Sequence, residues 1–295
     1  MTRVTWSIPA KTFLLGEYAA LHGGPAIVLT TTPCFNVGLS HEHISPAIHP
    51  DSPAGLFWKK TGISSQLTWN DPYHGIGGLG ASSAQFLGAY WAEKSQPKSN
   101  PDALLEAYWA CSWQAGQGVR PSGYDVLAQA ASGCVYINNH AVLGAYAWPF
   151  TDMAFILLHT GDKLATHHHL QDIRLTEAMT ELSSIALSGH EAFLRADSTQ
   201  LIKAVQAYHE ALTALDLVAE RTKQQLANLA QDQDVLACKG CGAMGADVLF
   251  ALVPSQQLLA CKKRFDLAGW AVLATSNDLY VKKNEKNTNR MPFTP

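Results

Sequence analysis

Signals for membrane insertion and export are missing from this chain. No apolar run reaches the roughly 18 residues a helix needs to span a bilayer, and the N-terminus has no charged-then-apolar leader pattern. These absences predict a cytoplasmic protein with no membrane partner. Charge is scarce too: Asp, Glu, Lys and Arg make up 15% of the 295 residues, the net charge is −3, and no basic block precedes the polar tail from Lys282 to Pro295. A phosphate backbone needs a concentrated basic surface, so nucleic acid is not expected as the main partner. A small-molecule substrate is the better expectation, and a homodimer is left open. Cysteine is too thinly spread for a disulfide framework. Cys34, Cys111, Cys134, Cys238, Cys241 and Cys261 read as reduced core thiols. The Cys238-to-Cys241 pair lacks the second pair that zinc would need, and His167, His168 and His169 are consecutive, so their side chains diverge rather than converge on one metal.

What the chain does have is apolar mass. Hydrophobic residues make up 47% of it, with eight Trp. At this length two cores are expected, divided near Pro149 to Asp152 into residues 1–150 and 151–295. The first part reads as β-rich, with strands at Arg3–Ile8, Thr12–Tyr18, Ala26–Thr31, Asn36–Glu42, Leu56–Lys60 and Gln66–Trp69. Helices follow around Ala84, Leu87 and Trp91, around Leu104, Tyr108 and Cys111, and at Asp125–Ala131; Cys134–Asn138 and Ala141–Trp148 form a hairpin around Asn139-His140. The second part starts with a strand at Met153–Leu158. Its clearest helix, Leu201–Leu215, has one apolar stripe, and strands at Asp247–Val253 and Ala271–Thr275 flank a helix at Gln256–Asp266 in a βαβ-like pattern. The order predicts an α+β fold.

Three segments carry chemistry. In Gly75-Ile-Gly-Gly-Leu-Gly-Ala-Ser-Ser83, glycines let successive N–H groups converge and a helix start adds its positive end, which suits a phosphate. Lys11, within PAKTFLLGEY, is either a lysine snorkelling at a strand edge or one aimed into a site. Asp125 follows Pro121-Ser-Gly-Tyr124, where a helix cap is its plain role, and Arg120 before it reads as a loop cation. The third segment, Lys239 to Asp247 (KGCGAMGAD), places three glycines ahead of a buried strand.

In order and spacing, PAKTFLLGEYAALHGGPAIV, GIGGLGASSA and KGCGAMGADVLFAL resemble the three signature motifs of the GHMP kinases, which include galactokinase, homoserine kinase, mevalonate kinase and phosphomevalonate kinase. The third motif departs from the usual SGAGGG core, with Cys241 for Ser, Met244 for Gly and Ala246 for Gly. The resemblance implies a two-domain α+β fold, an N-terminal mixed β/α domain followed by a ferredoxin-like sandwich, and an ATP-dependent kinase. It implies that Gly77, Gly78, Leu79, Gly80, Ala81, Ser82 and Ser83, with Gly242 and Gly245, bind ATP, and that Ser82 or Ser83 holds Mg²⁺. Asp125 would orient or deprotonate the acceptor hydroxyl, and Lys11 would neutralise charge beside it.

Within that family, QGVRPSGYDV, Gly16-Glu17-Tyr18, Asp247 and the TGDKLAT run from Thr160 to Thr166 look like phosphomevalonate kinases; so does Gln114, eleven residues before Asp125, where many mevalonate kinases place Glu. His22-Gly-Gly-Pro25, Pro121 and the short chain lean toward mevalonate kinases. The expected acceptor is 5-phosphomevalonate, with Glu17, Tyr18, His22, Arg120, Ser122, Lys163 and Thr166 around it and Arg120 and Lys163 on its phosphate. Mevalonate, another sugar or amino alcohol, phosphorylation coupled to decarboxylation, and a non-catalytic nucleotide-binding descendant are the alternatives.

Overall fold

The computed structural model describes residues 4–40, 48–97, 99–116, 118–161 and 176–282. The first sheet is built by strands β1 (Thr5–Leu15), β2 (Ala26–Ser40), β3 (Gln66–Asn70), β4 (Cys134–Asn138) and β5 (Ala141–Tyr146). Its order is β1-β2-β4-β5, with β3 on the far half of β2, and every pairing is antiparallel. The two strands expected on each side of Pro9, and again of Pro33, are single strands. β1 absorbs Pro9 at a register shift between Ile8 and Ala10, a place where a residue without an N–H costs the ladder nothing.

Helices α1 (Pro53–Thr61), α2 (Ala81–Lys94), α3 (Pro101–Ser112) and α4 (Tyr124–Ala131) cover this sheet. The strand expected at Leu56–Lys60 is part of α1. Ser52 caps that helix by accepting from the Gly55 N–H at 3.1 Å, Pro53 takes the first turn and Gly62 closes it in the left-handed region, so the terminal signals outweigh the aromatic content of the middle. Ala84, Leu87 and Trp91 of α2 are buried as expected. Asn139 and His140 both take positive φ between β4 and β5, the conformation a two-residue hairpin turn requires.

The second sheet contains β6 (Met153–His159), β7 (Ala237–Cys241), β8 (Val248–Pro254) and β9 (Ala271–Thr275), in the order β7-β8-β6-β9. Helices α5 (Thr176–Arg195), α6 (Ser198–Ala214) and α7 (Glu220–Leu229) lie between β6 and β7, and α8 (Leu258–Leu267) between β8 and β9. This is the ferredoxin-like order, all antiparallel. The expected direct βαβ unit is corrected here: β6 inserts between β8 and β9. Alternate residues of β6 serve different cores. Phe155 and Leu157 join the large core shared with the first sheet and α6, whereas Ile156 and Leu158 pack with Leu258, Cys261 and Phe265 of α8. Burial on both faces explains the unbroken apolar run. Strand β7 is the element the sequence hid, because Lys239 and Gly240 look like loop residues; Gly240 is needed there, since a Cβ would lie 2.5 Å from the Gly245 carbonyl oxygen.

The chain then returns to the first sheet, where the Tyr280 N–H donates to the Thr30 carbonyl at 2.8 Å. Among the described residues, no helix is long and apolar enough to cross a membrane.

Candidate active site

The edge strand β1 exposes a row of backbone groups that need partners. The glycine loop supplies one: the Lys11 N–H donates to the Leu79 carbonyl at 2.9 Å, joining strand and loop. Lys11 is 7% exposed. Its Nζ lies 3.1 Å from Oδ2 of Asp125 and 5.1 Å from the centre of the Phe13 ring. Lys11 therefore does not snorkel to solvent; its ammonium turns inward to Asp125. Asp125 does not cap its helix. Gly123, at φ 74°, is the cap residue of α4 with no side-chain bond, and Asp125 sits in the first turn with a third of its side chain exposed.

Gly78 and Gly80 both occupy the left-handed region. A Cβ on Gly80 would stand 2.7 Å from Lys11 Cγ, and one on Gly78 would collide with Asp247 of the third motif. Gly78 and Gly80 have no room for a side chain because the third motif and the Lys11 strand press against them. Beyond Gly80, the N–H groups of Ala81, Ser82 and Ser83 precede the first intrahelical bond, from Ala84 N to Gly80 O at 2.9 Å, and no side chain caps them. An uncapped N-terminus of this kind favours an anion. The two serines differ: Ser82 is exposed, whereas Ser83 is buried and donates to the Gly80 carbonyl at 2.9 Å. Of the two, Ser82 is thus the hydroxyl open to solvent. Among the described residues no cluster of three His, Cys, Asp or Glu could hold a metal ion by itself.

In the third motif, Lys239 to Cys241 lie in β7, and Gly242 and Gly245 turn the chain at φ 89° and 62°. Met244, which stands where the family has glycine, also takes a positive φ, of 55°. It is held there from both sides: its N–H donates to the Tyr18 hydroxyl at 2.9 Å, and its carbonyl accepts from the Ala219 N–H at 2.8 Å. Burial, and less strongly the charge of Glu17, push the Tyr18 phenol up to about 12, against the bond from Met244.

The residues expected around the acceptor are only partly brought together. Ser122 leads into the helix of Asp125, and its Oγ accepts from the Tyr124 N–H at 3.3 Å. Arg120 is exposed and stacks on Trp109 with its guanidinium 4.0 Å from the ring centre, while the Trp109 indole donates to the Pro121 carbonyl. His22 is exposed at the end of a short turn, Ala19–His22. Glu17 and Tyr18 are engaged with the second domain instead: Glu17 Oε1 accepts from Lys239 Nζ at 2.7 Å. Lys163 and Thr166, like the three consecutive histidines, lie outside the described residues. Gln129, which sequence reasoning missed, is fully buried one turn beyond Asp125. The only signal was a lone amide in the otherwise apolar run VLAQAA.

No protein-family model and no curated protein matches the chain. Solved structures do match. Methanococcus jannaschii mevalonate kinase is 13% identical with a TM-score of 0.71, over 95% of this chain and 99% of that one. Streptococcus pneumoniae phosphomevalonate kinase, in complex with phosphomevalonate and AMPPNP, is 17% identical with a TM-score of 0.72, over 92% of this chain and 99% of that one. Lactococcus lactis galactokinase, complexed with galactose, is 12% identical with a TM-score of 0.66, over 91% and 92%. The chain therefore has the two-domain fold of the GHMP kinases. Enzymes of the mevalonate pathway recur among the structures that share it.

Proposed function

We propose that the protein is an ATP- and Mg²⁺-dependent kinase that transfers the γ-phosphoryl group of ATP to an oxygen of a small acceptor, 5-phosphomevalonate. The observation that carries this reading is the Lys11–Asp125 pair at 3.1 Å, on a strand whose Lys11 N–H is bonded to Leu79 of the glycine loop. A charged pair for the acceptor and a cradle for the phosphates are thereby adjacent. Phosphoryl transfer asks mainly for in-line positioning and neutralisation of charge spread over phosphate oxygens. The N–H groups of Ala81 to Ser83 would bind the phosphates. Asp125 would orient the attacking oxygen of the acceptor and take any proton it carries as the new P–O bond forms and the bond to ADP breaks. Lys11 would hold Asp125 in place and offset negative charge at the transferring group. Mg²⁺, when bound, supplies further charge neutralisation, with the open Ser82 hydroxyl as its ligand.

A phosphorylated acceptor brings about two negative charges that need a cation. Arg120, exposed and stacked on Trp109, is the cation we put forward for that charge. The test is ADP release from ATP–Mg²⁺ with 5-phosphomevalonate, mevalonate, sugars and amino alcohols in parallel. ADP release with mevalonate but not with 5-phosphomevalonate would replace the acceptor; CO₂ released in step with ADP would replace the reaction; no release with any acceptor would sink the reading.

A further inference from the structure

The catalytic helix is fastened to the site from below. Gln129 lies four residues after Asp125 on α4, so both side chains leave the same face of the helix. Asp125 reaches the Lys11 ammonium; Gln129 reaches the backbone on both sides of it. The Gln129 amide nitrogen donates to the Pro9 carbonyl at 2.8 Å and to the Gly80 carbonyl at 3.2 Å. Both acceptors are strategic. Pro9 sits in the irregularity of β1 between Ile8 and Ala10, two residues before Lys11, and Gly80 opens the helix whose N-terminus ends the phosphate loop. Bulges re-aim the side chains that follow them, and a carbonyl freed from the ladder needs another donor when it is buried.

We propose that Gln129 is a positioning residue for phosphoryl transfer: its amide ties the Pro9 irregularity to the Gly80 cap and so keeps Lys11 directed at Asp125. The packing agrees with a fixed assembly. A Cβ on Gly80 would stand 3.1 Å from both Gln129 Nε2 and Lys11 Cε, so lysine and glutamine both close on the glycine loop. The amide orientation follows from chemistry, because two carbonyl acceptors face one end of the side chain and only the NH₂ group can serve both. The other end, Oε1, is buried with no hydrogen-bond partner among the described residues, so the amide is retained at a cost that a purely apolar packing residue would not incur.

The proposal rests on the kinase reading for its rate effect but not for its geometry, and the test separates the two. In Gln129→Met, which keeps the length and loses both donors, kcat is expected to fall about 10-fold or more, while KM for ATP and for the acceptor stays within about threefold. Amide hydrogen exchange at Lys11, whose N–H bonds to Leu79, is expected to accelerate about 10-fold while α6 keeps its protection. Gln129→Asn keeps an amide too short to span both carbonyls; it is expected to fall between the two proteins in both readouts, and it serves in place of Gln129→Met if that variant does not fold. A kcat within about twofold of wild type, or unchanged exchange at Lys11, would overturn the proposal. If the wild-type protein phosphorylates no acceptor, the kinase reading fails by itself, and exchange at Lys11 still decides the role of Gln129.

Discussion

Glu17, just past the first strand, and Lys239, 222 residues later, form a buried ion pair at 2.7 Å that joins the two domains behind the site. The Lys239 side chain is fully buried, that of Glu17 is 6% exposed, and Cys241 Sγ lies 3.4 Å from the same ammonium. Burial alone would depress the lysine, but Cys241 and Glu17 outweigh it and hold its pKa above the ordinary value. The pair anchors the third motif, whose Asp247 packs against Gly78 of the glycine loop.

Breaking that pair from one side should cost more than removing it. Lys239→Met leaves the Glu17 carboxylate buried and unpaired, and we expect a loss of about 3–5 kcal/mol in chemical denaturation. Glu17→Leu combined with Lys239→Met should be more stable than Lys239→Met alone. A single variant with wild-type stability would show that the pair is not sequestered.

Asp125→Asn should fold normally and lose at least about two orders of magnitude in turnover, because an amide cannot take the acceptor proton. The measurement is steady-state ADP release beside a thermal melt. Near-normal turnover would mean that Asp125 does no more than place the acceptor.

Gly80→Ala should weaken ATP binding and destabilise the fold by about 1–3 kcal/mol, since a side chain at φ 80° is strained and its Cβ would meet Lys11 Cγ at 2.7 Å. Gly75→Ala separates the two causes. It shares a positive φ, but nothing lies within 4 Å of its added Cβ, so it should bear the backbone strain without the loss of ATP affinity. Calorimetric titration with ATP–Mg²⁺ distinguishes them.

Acid should loosen the protein through two histidines. His190 stacks on Tyr136, its Nε2 lies 3.1 Å from the Tyr146 hydroxyl, and burial holds its pKa below the ordinary 6.5, against a smaller opposing effect of Glu191. Burial, then Lys239, lower His209 likewise. The unfolded chain therefore takes up these protons first as pH falls: their stabilising effect is complete above about pH 6.5 and is lost as pH drops toward the folded values. Melting temperature should decline between about pH 7 and 5, and His190→Phe, which keeps the stack without titrating, should flatten part of the slope. An unchanged slope in that variant would remove His190 from the account.

The glycine loop, the helices α2, α3, α4 and α6 and the β4–β5 hairpin were legible because each rests on a local rule, whether a run of glycines, a 3.6-residue stripe or a turn with positive φ. α1 was misread though its signals were present in Ser52, Pro53 and Gly62; the aromatic residues between them suggested a strand. β7 was not legible at all. Its lysine and glycine are polar and small for reasons that lie elsewhere in the chain, at Glu17 and Gly245.

By itself the sequence determined which residues could do chemistry. Lys11, Asp125 and the loop Gly75 to Ser83 were singled out because each is out of character with its apolar surroundings. Only the tertiary structure decided what they are to one another. Whether Lys11 snorkels or points inward depends on the Pro9 irregularity and on Leu79; whether Ser82 or Ser83 is open depends on which hydroxyl meets the Gly80 carbonyl; and Glu17 serves the domain interface because Lys239 is there to meet it. The lysine and glutamate outcomes turn on contacts between Lys11 and Leu79 and between Glu17 and Lys239, 68 and 222 residues apart, which no local pattern encodes.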